Sequence, residues 1–202
     1  MSNFPKHDRE EVIDRAMQVF WANGYHATSM RQLQDAVDLR PGSIYASFGG
    51  KESLFRMALR HYADLAMVQL QACQAENASP MAALRAFVRN DLLHGNTAPS
   101  SICLLVKTAT ELTQLDGVLL EDARSFLAGI RNAFCKLFEE AKTCGELTHN
   151  AQPARLASYF QMQVIGLKAM SRLQSDSCVT SQMIEDLFNS LDTVKLSTTV
   201  SK

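Results

Sequence analysis

Apolar residues in this chain recur at spacings of three and four, and no stretch alternates as a half-buried strand would. The first stripe is Val12, Ile13, Ala16, Met17, Val19 and Phe20, which predicts a helix over about 8–23 ended by Gly24. Thr28-Ser29 then offers N-caps, and Ser29-x-x-Gln32 reads as a capping box for a two-turn helix carrying Met30, Leu33 and Val37. Asp38 closes it, since Asp tolerates a left-handed backbone better than most residues. A stub follows, RPGSIYASFGG at 40–50, with Pro41 suited to a first helical position. Ile44 and Phe48, four apart, face inward and leave Ser43, Tyr45, Ala46 and Ser47 outward. A long helix from Lys51 to about Cys73 carries Leu54, Phe55, Ala58, Leu59, Tyr62, Leu65 and Ala66. Further helices are predicted near 80–95, 101–114, 117–144, 153–174 and 180–194, with a frayed tail from Leu196. The expected fold class is all-α, with about nine helices.

Composition narrows the partners. The chain has 202 residues, 47% of them hydrophobic, which suffices for one full core or a small module joined to a larger one. No run of about 18 apolar residues suggests a membrane span, and MSNFPKHDREE lacks the apolar centre of a secretory signal. Five cysteines, an odd number without CxxC spacing, fit a reducing, cytoplasmic setting. No His/Cys/Asp/Glu grouping has metal-ligand spacing, and no cofactor is implied. Net charge is −1, and residues 1–62 carry eight basic against seven acidic groups. Over 39–62 the balance tips to four basic (Arg40, Lys51, Arg56, Arg60) against Glu52.

Two short helices joined by a tight turn and backed by a third describe a helix-turn-helix, whose second helix lies in the DNA major groove. Gly42 would let the backbone approach a phosphate, while Ala46 and Ser47 leave room for the groove wall. Ser43 and the Tyr45 hydroxyl can hydrogen-bond to phosphate or base, and Arg40 could fork onto either. Lys51 adds its charge to the exposed N–H groups of the next helix, and Thr28 and Ser29 offer anion contacts at the first helix of the pair. Short helix pairs with glycine breaks also occur in all-α proteins that bind no DNA, so spacing alone does not choose.

The ordered run AMQVFWANGYHATSM, then Leu33, GSIYASF and KESLF resembles the N-terminal domain of the TetR/AcrR family of bacterial transcriptional regulators over residues 10–62. The resemblance implies that Gly42, Ser43, Tyr45 and Lys51 touch DNA and that Thr28 bonds a phosphate. Asp38 stands where the family usually has Gly, and Arg40 where it usually has a Ser or Thr cap. Arg40 is therefore expected to read specificity. The implied organisation is a DNA-binding domain at 1–50, completed by 51–62, and an effector-binding and dimerisation domain at 63–202. The implied function is a repressor that binds a palindromic operator as a homodimer and is released by a small molecule.

In the larger part, Tyr159, Phe160 and Leu167 on helix eight and Ile184, Leu187, Phe188 and Leu191 on helix nine form stripes expected to build the dimer; an ordinary core stripe would look the same. Candidate lining of an effector pocket is Met67, Phe87, Cys103, Val106, Phe126, Ile130, Phe134 and Met162. Cys103, in the first turn of a predicted helix and one turn before Lys107, sketches an alternative: a redox or electrophile sensor. The plainer reading, a small buried hydrophobe, is favoured over the sensor. An all-α enzyme would need a phosphate loop, metal cluster or nucleophile–base pattern that the sequence does not offer. A helical adaptor binding only proteins is the remaining class, and salt-dependent DNA binding would distinguish it.

Overall fold

A computed structural model describes residues 6–94, 99–171 and 177–196. Its helices are α1 (Lys6–Asn23), α2 (Met30–Val37), α3 (Pro41–Phe48), α4 (Lys51–Glu76), α5 (Pro80–Arg89), α6 (Leu104–Glu111), α7 (Gly117–Thr143), α8 (Pro153–Ser171) and α9 (Ser177–Leu196). A π-helical turn, Asn90–His94, continues α5, and a 3-10 turn, Gln114–Asp116, precedes α7. Among the described residues there is no strand. The expected end of helix eight at 174 and the tail from 197 lie outside the described residues.

Contacts divide the chain into two compact units: residues 1–65 with 98–127, and residues 66–97 with 128–202. By its position in the chain, 98–127 belongs to the larger of the two domains that the resemblance implies. In the structure that segment packs with the N-terminal helices, held by groups far apart in sequence. The Trp21 Nε1–H donates to the Ile102 carbonyl at 2.6 Å, and the Lys107 ammonium donates to the carbonyls of Trp21 (2.9 Å) and Ala22 (2.8 Å).

In the first unit, local chemistry sets the helix ends. The Gln32 N–H donates to Ser29 Oγ at 3.2 Å, and the Ser29 N–H donates to Gln32 Oε1 at 2.7 Å, the reciprocal pair expected of a capping box. Asp38 ends α2 with φ 52°, and Gly49 ends α3 with φ 78°. Phe20, Leu33, Ile44, Phe48, Leu54 and Phe55 are each buried, as are Leu104 and Leu105 of α6. Several boundaries differ from expectation: α1 begins at Lys6 and not about 8, α4 runs to Glu76 and not about Cys73, and α6 ends at Glu111 and not 114. Helix α6 begins at Leu104, not 101: Cys103 has a non-helical ψ of 137°, and the Ile102 carbonyl before it accepts from the Trp21 indole.

In the second unit, Phe87, Phe134, Phe138, Phe160 and Phe188 pack edge to face, with ring centroids 4.9–6.0 Å apart. Leu156, Val164, Leu167, Ile184, Leu187 and Leu191 close around them. The apolar stripes of α8 and α9 that were expected to form a dimer are therefore core within a single chain. Phe160 and Ile184 have no exposed surface, Leu191 is 1% exposed, and Tyr159 is half-buried with its hydroxyl 3.0 Å from Ser190 Oγ. The outward side of α8 is a different set: Met162, 64% exposed, and Met170, 41% exposed, flank the exposed Gly166 at four-residue spacing.

Candidate nucleic-acid interface

Helix α3 has eight residues, far too few to persist alone in water. It exists because Ile44 and Phe48 are buried, at 0% and 3% exposure, a gain of about 1.5–3 kcal/mol each. That burial fixes which side faces out. Gly42, Tyr45 and Ala46 are exposed and Ser43 and Ser47 half-exposed, as the spacing of Ile44 and Phe48 requires. Nothing lies within 4 Å of where a Gly42 Cβ would sit, so a backbone or phosphate can come close there. Arg40 occupies the N-cap position with φ −69°, ψ 153°, is exposed, and makes no side-chain cap bond. Pro41 opens the helix, and its side chain falls outside the described part.

The exposed ring of Tyr45 has a seat. Gly50 stands at φ +109°, and a Cβ there would lie 3.1 Å from Tyr45 Cε1, so the bare backbone lets the ring lie alongside. The Ser29 side chain is exposed but engaged in its cap.

Two expected anion contacts have other partners. Thr28 is 1% exposed, and its hydroxyl donates to the Gly24 carbonyl at 2.6 Å. It closes the α1–α2 turn from inside and does not present oxygen to a phosphate. The Lys51 ammonium lies 4.5 Å from the centre of the Tyr25 ring, and partial burial holds its pKa down while Glu111 pulls it up. Lys51 is half-buried rather than fully extended into solvent.

A set of contacts absent from the sequence reading braces the α1–α2 turn. The His26 N–H donates to Glu111 Oε1 at 3.2 Å, and His26 Nε2 lies 3.2 Å from Asp116 Oδ2. Desolvation pushes the Asp116 carboxyl up, but hydrogen bonds from the Thr113 backbone and from His26 outweigh it and hold the group below the usual range. Arg56 donates to Asp122, and Arg9 of α1 reaches the Ser47 carbonyl and the Phe48 ring of α3. These partners lie 38 to 90 residues apart, beyond the reach of any periodicity or cap signal.

The expected effector lining is divided between the two units. Phe87 and Phe134 are packed ring to ring in the second core, and Met162 points to solvent. Met67 and Ile130 are half-buried in that unit, while Cys103, Val106 and Phe126 belong to the first. An open hollow of about 560 Å³ lies in the second unit, bordered by Met81, Arg85, Arg89, Glu146 and Phe188 and by none of the expected lining residues. Cys103 is the N-cap of α6, not part of its first turn, and makes no side-chain cap bond. Lys107, expected to favour its thiolate, spends its charge on the end of α1. No disulfide joins any of the five cysteines. Among the described residues no group of three His, Cys, Asp or Glu could hold a metal, and no helix is long and apolar enough to cross a membrane.

A short helix buried on two apolar residues, with a small polar outer face and a capped helix beside it, has the arrangement of a helix-turn-helix. Comparison with known proteins gives the family. Residues 12–58 match the bacterial regulatory proteins of the tetR family, and residues 80–186 match the tetracyclin repressor-like C-terminal domain. The second match alone spans more than half of the chain, which therefore belongs to the TetR family of DNA-binding transcriptional regulators, a family of regulators and not enzymes. The chain is 26% identical over 169 residues to the HTH-type transcriptional repressor ComR of Escherichia coli, covering 82% of this chain and 80% of ComR. It is 28% identical over 179 residues to the transcriptional regulator AcuR of Cereibacter sphaeroides, covering 83% and 78%. Its fold matches CifR, a TetR family regulator solved as a cysteine mutant with 26-base-pair operator DNA, with a TM-score of 0.79, 24% identity and coverage of 94% and 98%.

Proposed function

We propose that this chain is a cytoplasmic repressor that binds a palindromic operator as a homodimer through α3 and is released by a small-molecule effector. The observation that carries the DNA contact is the outer face of α3: Gly42, Ser43, Tyr45, Ala46 and Ser47 turned away from a buried Ile44–Phe48 pair. Arg40 and Ser29 flank that face, and Lys51 supplies charge behind it. Residues 1–62 form the DNA-binding domain, and the rest serves effector binding and dimerisation. The term repressor is supported by the name of ComR. For the dimer, the support is the outward face of α8, where Met162 and Met170 expose apolar surface beside Gly166, which admits close approach. Two heads on half-sites about one helical turn apart would compensate for the few base pairs that one short helix can read.

The test is selection of binding sites from random duplexes by the full-length protein, followed by titration of the selected operator at several salt concentrations. A palindrome, and an affinity that falls steeply with salt, are expected. Tyr45→Ala should weaken operator binding by about 1–3 kcal/mol while leaving the thermal midpoint near that of the parent, since the ring is 58% exposed. Failure to enrich any sequence would overturn the reading.

A further inference from the structure

Helix α3 would extend only about 12 Å, so a tilt of about 10° displaces its far end by about 2 Å, enough to break any hydrogen bond to a base edge. Its N-terminal end has no side-chain cap, because Arg40 makes none, and the glycine pair Gly49-Gly50 follows it at φ +78° and +109°. A group from another helix holds its C-terminal end. Arg9 Nη1–H donates to the Ser47 carbonyl at 2.9 Å, one of the last acceptors that an α-helix leaves without an internal donor. The guanidinium lies 4.7 Å from the centre of the Phe48 ring, and its Nη2 is 3.6 Å from Met57 Sδ on α4. A cation at this end also complements the helix dipole. One side chain thus joins α1, α3 and α4 at the point where the recognition helix ends.

We propose that Arg9 is a positioning residue: it sets the tilt of α3 and so the discrimination between operator and other DNA, without itself contacting DNA. This rests on the reading of α3 as the recognition helix. The planar fork is what the position uses, because one nitrogen donates to the Ser47 carbonyl while the guanidinium carbon lies over the Phe48 ring, and a compact ammonium has no second nitrogen to span both.

The experiment compares the full-length parent, Arg9→Ala and Arg9→Lys on the selected operator and on random-sequence duplex across a salt series, together with hydrogen exchange of the segment 41–49. For Arg9→Ala we expect a loss of about tenfold on the operator, the worth of one charge-assisted hydrogen bond, and about twofold or less on random duplex. The slope of affinity against salt should be unchanged, because no phosphate contact is lost. Exchange in 41–49 should quicken while that of α2 holds. Arg9→Lys should restore little of the discrimination. Equal losses on both duplexes with a slope smaller by about one would make Arg9 a phosphate ligand and overturn the proposal. So would full restoration by lysine, or unaltered exchange in 41–49. If the parent itself does not distinguish operator from random duplex, it is the DNA reading that fails, and the exchange measurement still decides whether Arg9 holds α3.

Discussion

Gly24 meets two demands at once. Its φ is +85°, which costs a residue with a Cβ about 1–2 kcal/mol, and a Cβ there would overlap the Glu111 carboxylate. That carboxylate accepts the His26 N–H, so displacing it also loosens the brace on the α1–α2 turn. Gly24→Ala should lower stability by about 2 kcal/mol, and the loss should be smaller in a Glu111→Ala background, where only the backbone strain remains. Thermal or urea unfolding of the four proteins measures both. Tyr45 and Ser43 were legible because a helix with two inward residues four apart has its outward residues determined. Thr28 was not: a threonine just before an N-cap can face an anion or bond back to the carbonyl four residues earlier, and its 1% exposure shows the second.

Among elements, α5 and α9 are packed together and linked by charge: Arg85 and Arg89, one turn apart, both donate to Glu185. The bond from Arg85 lowers the Glu185 pKa from its ordinary 4.5, partial burial opposes this, and the bond from Arg89 and the two charges lower it further. The unfolded chain therefore binds the proton more tightly than the folded one. The contribution of the pair is complete above about pH 4.5 and drains away as pH falls through the depressed folded value. Because these side chains are 37–49% exposed, the contribution is at most about 1 kcal/mol. Glu185→Gln should then lower the thermal midpoint by about 2–4 °C at pH 7, with the gap to the parent closing as pH falls below the ordinary 4.5. A constant gap across that range would show that shape and not charge is responsible. Caps and breaks made the elements themselves readable, from the Ser29 box to the left-handed Asp38. The start of α6 was misplaced: Cys103 is non-helical there, and the Ile102 carbonyl before it answers to an indole 81 residues away.

At the scale of the whole molecule, the two apolar stripes near the C-terminus raised a choice between core and partner. Phe160, Leu167, Ile184, Leu187, Phe188 and Leu191 lie inside one chain, so a dimer must use what remains outside. Met162→Glu places a charge in the middle of the outward face of α8, where the proposed partner would bury it unpaired. Sedimentation should show a shift from dimer to monomer, and operator affinity should fall by about a hundredfold or more as the two half-sites become independent. The thermal midpoint of the monomer core should change little, because Met162 is 64% exposed. A dimer that survives this substitution would place the interface elsewhere.

By itself the sequence determined the order of the helices, the Ser29 and Asp38 caps of α2, the glycine break after α3, and the outward face of α3. These depend on neighbours within one or two turns, through helical period, cap chemistry and the backbone freedom of glycine and aspartate. Only the tertiary structure decided which apolar stripe is core, which residues brace the α1–α2 turn, and that Arg9 grips the end of α3. The bracing contacts join residues 38 to 90 positions apart, and the α8 stripe becomes core where Phe160 meets rings of α7 and α9. The physical reason is that burial and charge pairing are properties of a surrounding, and a stripe of leucines and phenylalanines carries the same pattern whether its own chain or another comes to cover it.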